Sequence, residues 1–108
     1  MAQIQKILGQ ATGTVTATAV YTVPALTSTV ISSIIICNTS ATGTTATVVI
    51  SKAGEALSTK QYILYNQNIE ANSTFTLTVG ITLAATDIIK VLSPSTSVAF
   101  NIFGMEVS

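Results

Sequence analysis

Residues that favour extended backbone dominate this chain, and they alternate. Thr, Ile and Val supply 42 of its 108 residues, as 19, 13 and 10. These β-branched side chains lose rotamer freedom in a helix and pack well on a pleated surface. Their spacing agrees with their type. Thr14, Thr16 and Thr18 alternate with Val15, Ala17 and Ala19, and Tyr21 and Val23 continue the apolar parity. Period two is the mark of a half-buried strand. Pro24 ends this run, because proline cannot donate to a strand ladder.

The pattern repeats down the chain. Val30 to Asn38 is apolar on both parities, interrupted mainly by Ser32 and Ser33. Such a strand is expected to be covered on both faces, by the core or by a neighbouring subunit. Asn38 to Gly43 reads as a turn. Thr45, Thr47 and Val49 then oppose Ala46, Val48 and Ile50. Ser51 to Lys60 shows no clear alternation and holds Lys52, Glu55 and Lys60. It predicts an exposed loop with one helical turn at Glu55-Ala56-Leu57. Gln61 to Tyr65 is a strand followed by the polar Asn66-Gln67-Asn68.

The clearest alternation lies further on. Phe75, Leu77 and Val79 point one way, and Thr74, Thr76 and Thr78 the other. Gly80 follows, free to take backbone angles closed to other residues. Asp87 to Leu92 is a strand closed by Ser93-Pro94-Ser95. In Val98 to Val107 the apolar parity runs Val98, Phe100, Ile102 and then moves to Met105 and Val107. A bulge at Gly104 would account for that shift. Seven or eight short strands, with turn signals about every ten residues, predict an all-β antiparallel sandwich, Ig-like or jelly-roll. Residues 13–108 form that domain. Residues 1–12 form an N-terminal arm, because Gly9 and Gly13 separate Ile4, Ile7 and Leu8 from the first good strand. Such an arm either folds back on its own sandwich or reaches a neighbour, and contact with another chain is expected to order it.

Chemistry is scarce. The chain has no His, Arg or Trp, and charged residues make up 7% of it, against about 25% in a typical domain. Cys37 is single, has no His to activate it, and reads as a small buried hydrophobe. Glu55, Glu70, Asp87 and Glu106 lie far apart in sequence and form no metal-binding loop. No catalytic residue, metal or cofactor is expected, and the chain is read as not an enzyme. Four Lys scattered along it give no basic patch for nucleic acid. No apolar run approaches the roughly 18 residues of a membrane helix, and the start lacks the apolar core of a secretion signal. Production and assembly in the cytoplasm, with no membrane partner, are expected. Net charge of zero leaves no long-range repulsion against self-association. Function here means assembly or binding, and a homo-oligomer is expected.

Candidate contact residues are Ile4, Ile7 and Leu8 in the arm, and Tyr62 and Tyr65. The two tyrosines precede three amides, an arrangement that also suits a sugar ring, although tyrosine is common at subunit contacts. The threonine ladders at Thr14-Thr16-Thr18 and Thr74-Thr76-Thr78 could order water or bind sugar hydroxyls. They also follow simply from the strand propensity of threonine.

Three segments together resemble a known kind of protein. They are Tyr21-Thr22-Val23-Pro24-Ala25, Val30 through Thr39, and Ile69-Glu70-Ala71-Asn72-Ser73-Thr74 leading to Gly80 through Asp87. With them the chain, from about Gly9 to Ser108, resembles the small β-sandwich virion proteins of tailed bacteriophages. These include capsid decoration (cement) proteins and accessory proteins of tails and fibres. The resemblance implies a non-enzymatic virion structural protein, first a decoration protein bound to the major capsid protein. A tail, collar, baseplate or fibre component is the alternative, and a carbohydrate-binding receptor module a further one. It also implies a trimer, and supplies no catalytic residues.

Overall fold

In the computed structural model the described residues are 3–56 and 58–108, with the side chain of Val79 left aside. Eight strands carry the chain: β1 (Gln3–Thr12), β2 (Thr18–Thr22), β3 (Ser28–Asn38), β4 (Thr44–Ser51), β5 (Tyr62–Ile69), β6 (Thr74–Leu83), β7 (Ile88–Leu92) and β8 (Val98–Val107). They form two four-stranded antiparallel sheets, ordered β1-β8-β3-β6 and β2-β7-β4-β5. The ladders pair first strand with last, second with seventh, third with sixth and fourth with fifth. The chain is thus one long antiparallel ribbon rolled up into a sandwich. That connectivity is the jelly roll, not the Ig-like arrangement.

Between the sheets lies a dry core. From the first sheet it takes Ile31, Ile34, Ile36, Phe100 and Ile102, and from the second Val48, Ile89 and Val91, all 0% exposed. Phe75 and Leu77 pack against this cluster from edge strand β6, half-buried, while Thr74, Thr76 and Thr78 face out. The face assignment from alternation holds for these five side chains.

Residues 3–12 take the fold-back course. From Gln3 on they are β1, laddered to β8 along its length. Leu8 is 9% exposed and belongs to the chain's own core. An arm ordered only by another chain therefore does not describe Leu8. Gly9 does not detach the segment. A Cβ there would lie 2.6 Å from the Val20 carbonyl oxygen, so glycine lets β1 approach β2 closely.

The end of β8 also differs from expectation. β8 has no bulge of its own, and Gly104 and Glu106 keep the inward parity of Phe100 and Ile102. The extra residues belong to its neighbours. Register shifts between Ile7 and Gly9 on β1 and between Ile31 and Ser33 on β3. Leu8 and Ser32 are the inserted residues, and the Ser32 hydroxyl donates to the Phe103 carbonyl at 3.1 Å. Gly104 faces both insertions. A Cβ on it would stand 2.3 Å from the Val30 carbonyl oxygen and 2.9 Å from Leu8 Cδ1.

Smaller departures have local causes. Thr14 and Thr16 lie in a bend before β2. β5 runs on through Asn66-Gln67-Asn68 because Ile69 is buried against the core. Gly80 does not end β6, has no left-handed backbone, and a Cβ there would meet nothing. The left-handed residues are elsewhere, among them Asn72 (φ 53°) and Thr86 (φ 73°) in the turns flanking β6. Asp87 secures the second turn by accepting the Ala84 and Ala53 amides at 2.9 Å each. Between β4 and β5, a turn with left-handed Ala53 (φ 52°) and Gly54 (φ 76°) occupies Lys52–Gly54, and a one-turn helix Thr59–Gln61. The turn expected at Glu55-Ala56-Leu57 involves Leu57, which is outside the described residues.

Asn38 closes the other end of the sandwich. Its buried amide nitrogen lies within hydrogen-bond range of the Thr42, Ile69 and Glu70 carbonyls, and its oxygen accepts the Ser40 amide. One side chain thus ties the β3–β4 turn to the β5–β6 turn.

Candidate functional site

The densest group of polar chemistry joins four strands. Glu106 of β8 accepts the Lys6 ammonium of β1 at 2.9 Å and the Tyr21 hydroxyl of β2 at 2.6 Å. Tyr21 also lies 2.8 Å from the Thr29 hydroxyl of β3. The phenol hydrogen goes to the carboxylate, so Thr29 donates to the phenol oxygen. Both carboxylate oxygens are occupied, and the Glu106 side chain is 12% exposed. Tyr21 comes from the second sheet and its three partners from the first. The group is a clamp across the sandwich.

The clamp sets a pH dependence. The Tyr21 hydrogen bond, then the Lys6 bond, holds the Glu106 carboxyl below its ordinary value of 4.5. A carboxylate favoured by folding stabilises the fold above its unfolded pKa, and this is lost as pH falls through the folded one. Burial, then the bond to Glu106, pushes Tyr21 from 10.0 up to about 12. The folded chain keeps that phenol proton after the unfolded chain has lost it, so stability falls between pH 10 and 12. Glu106→Gln is expected to flatten the acid limb of a plot of stability against pH, and Tyr21→Phe the alkaline limb. Denaturant midpoints across pH 2 to 12 check both. Unchanged limbs in both variants would remove the clamp from the account.

The five residues read as contacts fall in different places. Ile4 and Ile7 are each 53% exposed on edge strand β1, whereas Leu8 is core. Tyr62 and Tyr65 sit on β5, an edge of the other sheet. β1 lies against β2, and β7 and β4 stand between β2 and β5, so the arm residues and the tyrosines do not form one site. The tyrosine rings meet edge to face, centroids 4.8 Å apart at 72°. Tyr65 is well exposed, but the two rings present no common flat platform for a sugar. Nor do Thr14, Thr16 and Thr18 form a flat hydroxyl array. The Thr14 and Thr18 hydroxyls lie within hydrogen-bond range of each other and of the Thr16 carbonyl.

The most extensive surface feature is the outward face of the β1-β8-β3-β6 sheet. Register places Ile7, Phe103 and Ser33 side by side, then Gln5, Met105 and Val30, then Gln10, Asn101 and Ile35, with Cys37 beside Ala99. The Thr74-Thr76-Thr78 ladder borders it on β6. Val30, Ile35, Cys37, Phe103, Met105 and Val107 are half-buried there. Cys37 is therefore on this face and not in the core. A shallow groove runs between Ile7, Val30, Ser32, Phe103 and Met105 at the two inserted residues, with Lys6 on its rim. The four strands carry two charges, Lys6 and Glu106, and both take the opposite parity, paired in the clamp. The outward-parity residues are uncharged, and Lys6, half-exposed at the groove, is neutralised by Glu106.

Two signals in the sequence pointed to it. One was the double parity of Val30 to Asn38. The other was the outward parity of Met105 and Val107, which reads as a bulge when a strand is assumed to keep all its apolar residues inside.

Among the described residues, no three carboxylates or thiols converge as a metal site would require, and no helix is long and apolar enough to cross a membrane. No protein-family model matches the chain, and no curated protein matches it.

Proposed function

We propose that this chain is a non-enzymatic structural protein of a tailed-phage virion, working as a homo-oligomer, most simply a trimer. The reading rests on the uncharged, partly apolar sheet face, a surface suited to standing contact and holding no nucleophile–base pair. The jelly roll supports it by analogy, since that fold builds many viral coat domains. First in order is a capsid decoration protein seated at junctions of the major capsid protein. Modest contacts repeated over a symmetric lattice would hold it by avidity. A tail, collar, baseplate or fibre position is the alternative within the class.

Co-sedimentation tests the reading. The purified protein is expected to pellet with empty capsids of its phage and not with isolated tails. Pelleting with tails alone would move it to the tail. Pelleting with neither, together with a hit in a glycan screen, would replace the virion reading by the receptor module. Salt gives a further expected result. With eight charges of balanced sign, screening has little to act on. Retention on particles should change by less than about twofold between 50 mM and 500 mM salt. A phosphate-binding mode through the four lysines would instead fall by orders of magnitude. Release by moderate salt would show that ion pairs hold the protein in place.

A further inference from the structure

We propose that the outward face of the β1-β8-β3-β6 sheet is where a second copy of this chain packs. The inference rests on the homo-oligomer reading above and assigns its surface; a face packed on its own copy is a two-fold contact, so it takes a dimer in place of the trimer.

Three observations carry it. First, β3 is apolar on both parities, and the fold covers only one of them. Ile31, Ile34 and Ile36 are sealed in the core, while Val30, Ile35 and Cys37 remain on the open face. Half-buried Phe103, Met105 and Val107 from β8 widen that stripe. A contiguous apolar patch of this kind marks a contact surface.

Second, the face is large enough. Its four strands are each 10 or 11 residues long. At about 3.3 Å per residue and 4.8 Å between strands, four of them present roughly 600 Å². Two copies would bury about 1,200 Å² in all, above the roughly 1,000 Å² of a specific interface.

Third, the absence of charge favours a copy over a foreign partner. Near a two-fold axis a charge meets its own image, and like charges brought together cost several-fold to many-fold in affinity. A self-associating face therefore does best with none. A face built for a different protein can carry charges matched by opposite ones. Here the sheet's only two charges neutralise each other within the chain, Glu106 nearly buried and Lys6 half-exposed at the groove. Gln5, Gln10, Asn101, Ser33 and the Thr74-Thr76-Thr78 ladder supply uncharged hydrogen-bonding groups that suit either orientation of a copy.

The test reads mass and thiol protection together. Wild-type protein is expected to show a multiple of the chain mass by light scattering. The native Cys37 thiol, which lies on the face, should react with a maleimide at least tenfold more slowly at concentrations where the oligomer forms than after dilution. Asn101→Lys and Ser33→Lys place a charge on the face without removing apolar packing. Each should weaken association at least about a hundredfold, with the circular dichroism spectrum retained. Leu26→Ser removes the most exposed large apolar side chain, 94% exposed and off the face. It should leave association unchanged.

Oligomers that survive both lysine substitutions, or that Leu26→Ser dissociates, would overturn the assignment of the face. So would wild-type oligomers whose Cys37 reacts as fast as in the diluted chain. A wild-type monomer at all concentrations would overturn self-association itself. None of these results touches co-sedimentation with capsids or tails, which tests the virion reading separately.

Discussion

Gly104→Val is expected to destabilise the fold by at least about 3 kcal/mol, the upper end of the cost of overpacking. The reason is steric and local. The added Cβ would stand 2.3 Å from the Val30 carbonyl oxygen, 2.9 Å from Leu8 Cδ1 and 3.1 Å from Ile31 Cα. A leucine methyl could turn away, but two of the three obstacles are backbone of the central strand β3. Relief requires pulling β3 from β8, or expelling Leu8 and undoing the insertion in β1. For a domain of this size 1 kcal/mol is worth about 4–8 °C, so the melting temperature should fall by roughly 12 °C or more. Gly80→Val is the control, because a Cβ at Gly80 meets nothing within 4 Å. Equal losses for the two variants would show that loss of glycine itself, and not the crowding at Gly104, sets the cost.

Phe100→Ala should cost about 3–5 kcal/mol, the range for emptying a buried aromatic site. Phe100 is 0% exposed and lies in the core between the sheets. Leu77→Ala should cost distinctly less, about 1–2 kcal/mol, below the usual range for a fully buried leucine. Leu77 has the inward parity of its strand, but β6 is a sheet edge and the side chain is only half-buried. Thr76→Ala, exposed on the opposite face, should cost least in the isolated chain. Chemical denaturation of the three variants gives the order directly. A Leu77→Ala loss as large as that of Phe100→Ala would mean that β6 is covered more fully than a sheet edge.

The contrast between Phe100 and Leu77 shows what alternation conveys. Alternation states which side of a strand faces in, because successive side chains must point to opposite faces. It does not state whether the strand is central or at an edge, and that position decides how much burial facing in brings. The same gap explains Gly104. Apolar residues that change parity along one strand look like an insertion in that strand. Here the strand is regular and both neighbours are inserted, which only the ladder with β1 and β3 reveals. Cys37 was misplaced for a related reason. An apolar run on both parities says that both faces want cover, not that one chain supplies it.

What the sequence determined by itself was the class of structure. Branched and aromatic residues at period two, broken by Pro, Gly and Asn at turn positions, leave little but an antiparallel sandwich. The poverty of titratable side chains is equally local, with no His or Arg and eight charged residues in the chain. Those are local properties, set by backbone sterics and side-chain chemistry within a few residues. The tertiary structure decided the rest: the jelly-roll order of the strands, the use of residues 3–12 as an edge strand, the closing clamp of Tyr21, Thr29, Glu106 and Lys6, and the gathering of half-buried apolar groups on one uncharged face. Each of these depends on residues as far apart as Lys6 and Glu106 meeting across a ladder. Local propensity carries no information about which strand pairs with which, because every strand here offers the same backbone hydrogen bonds to any other.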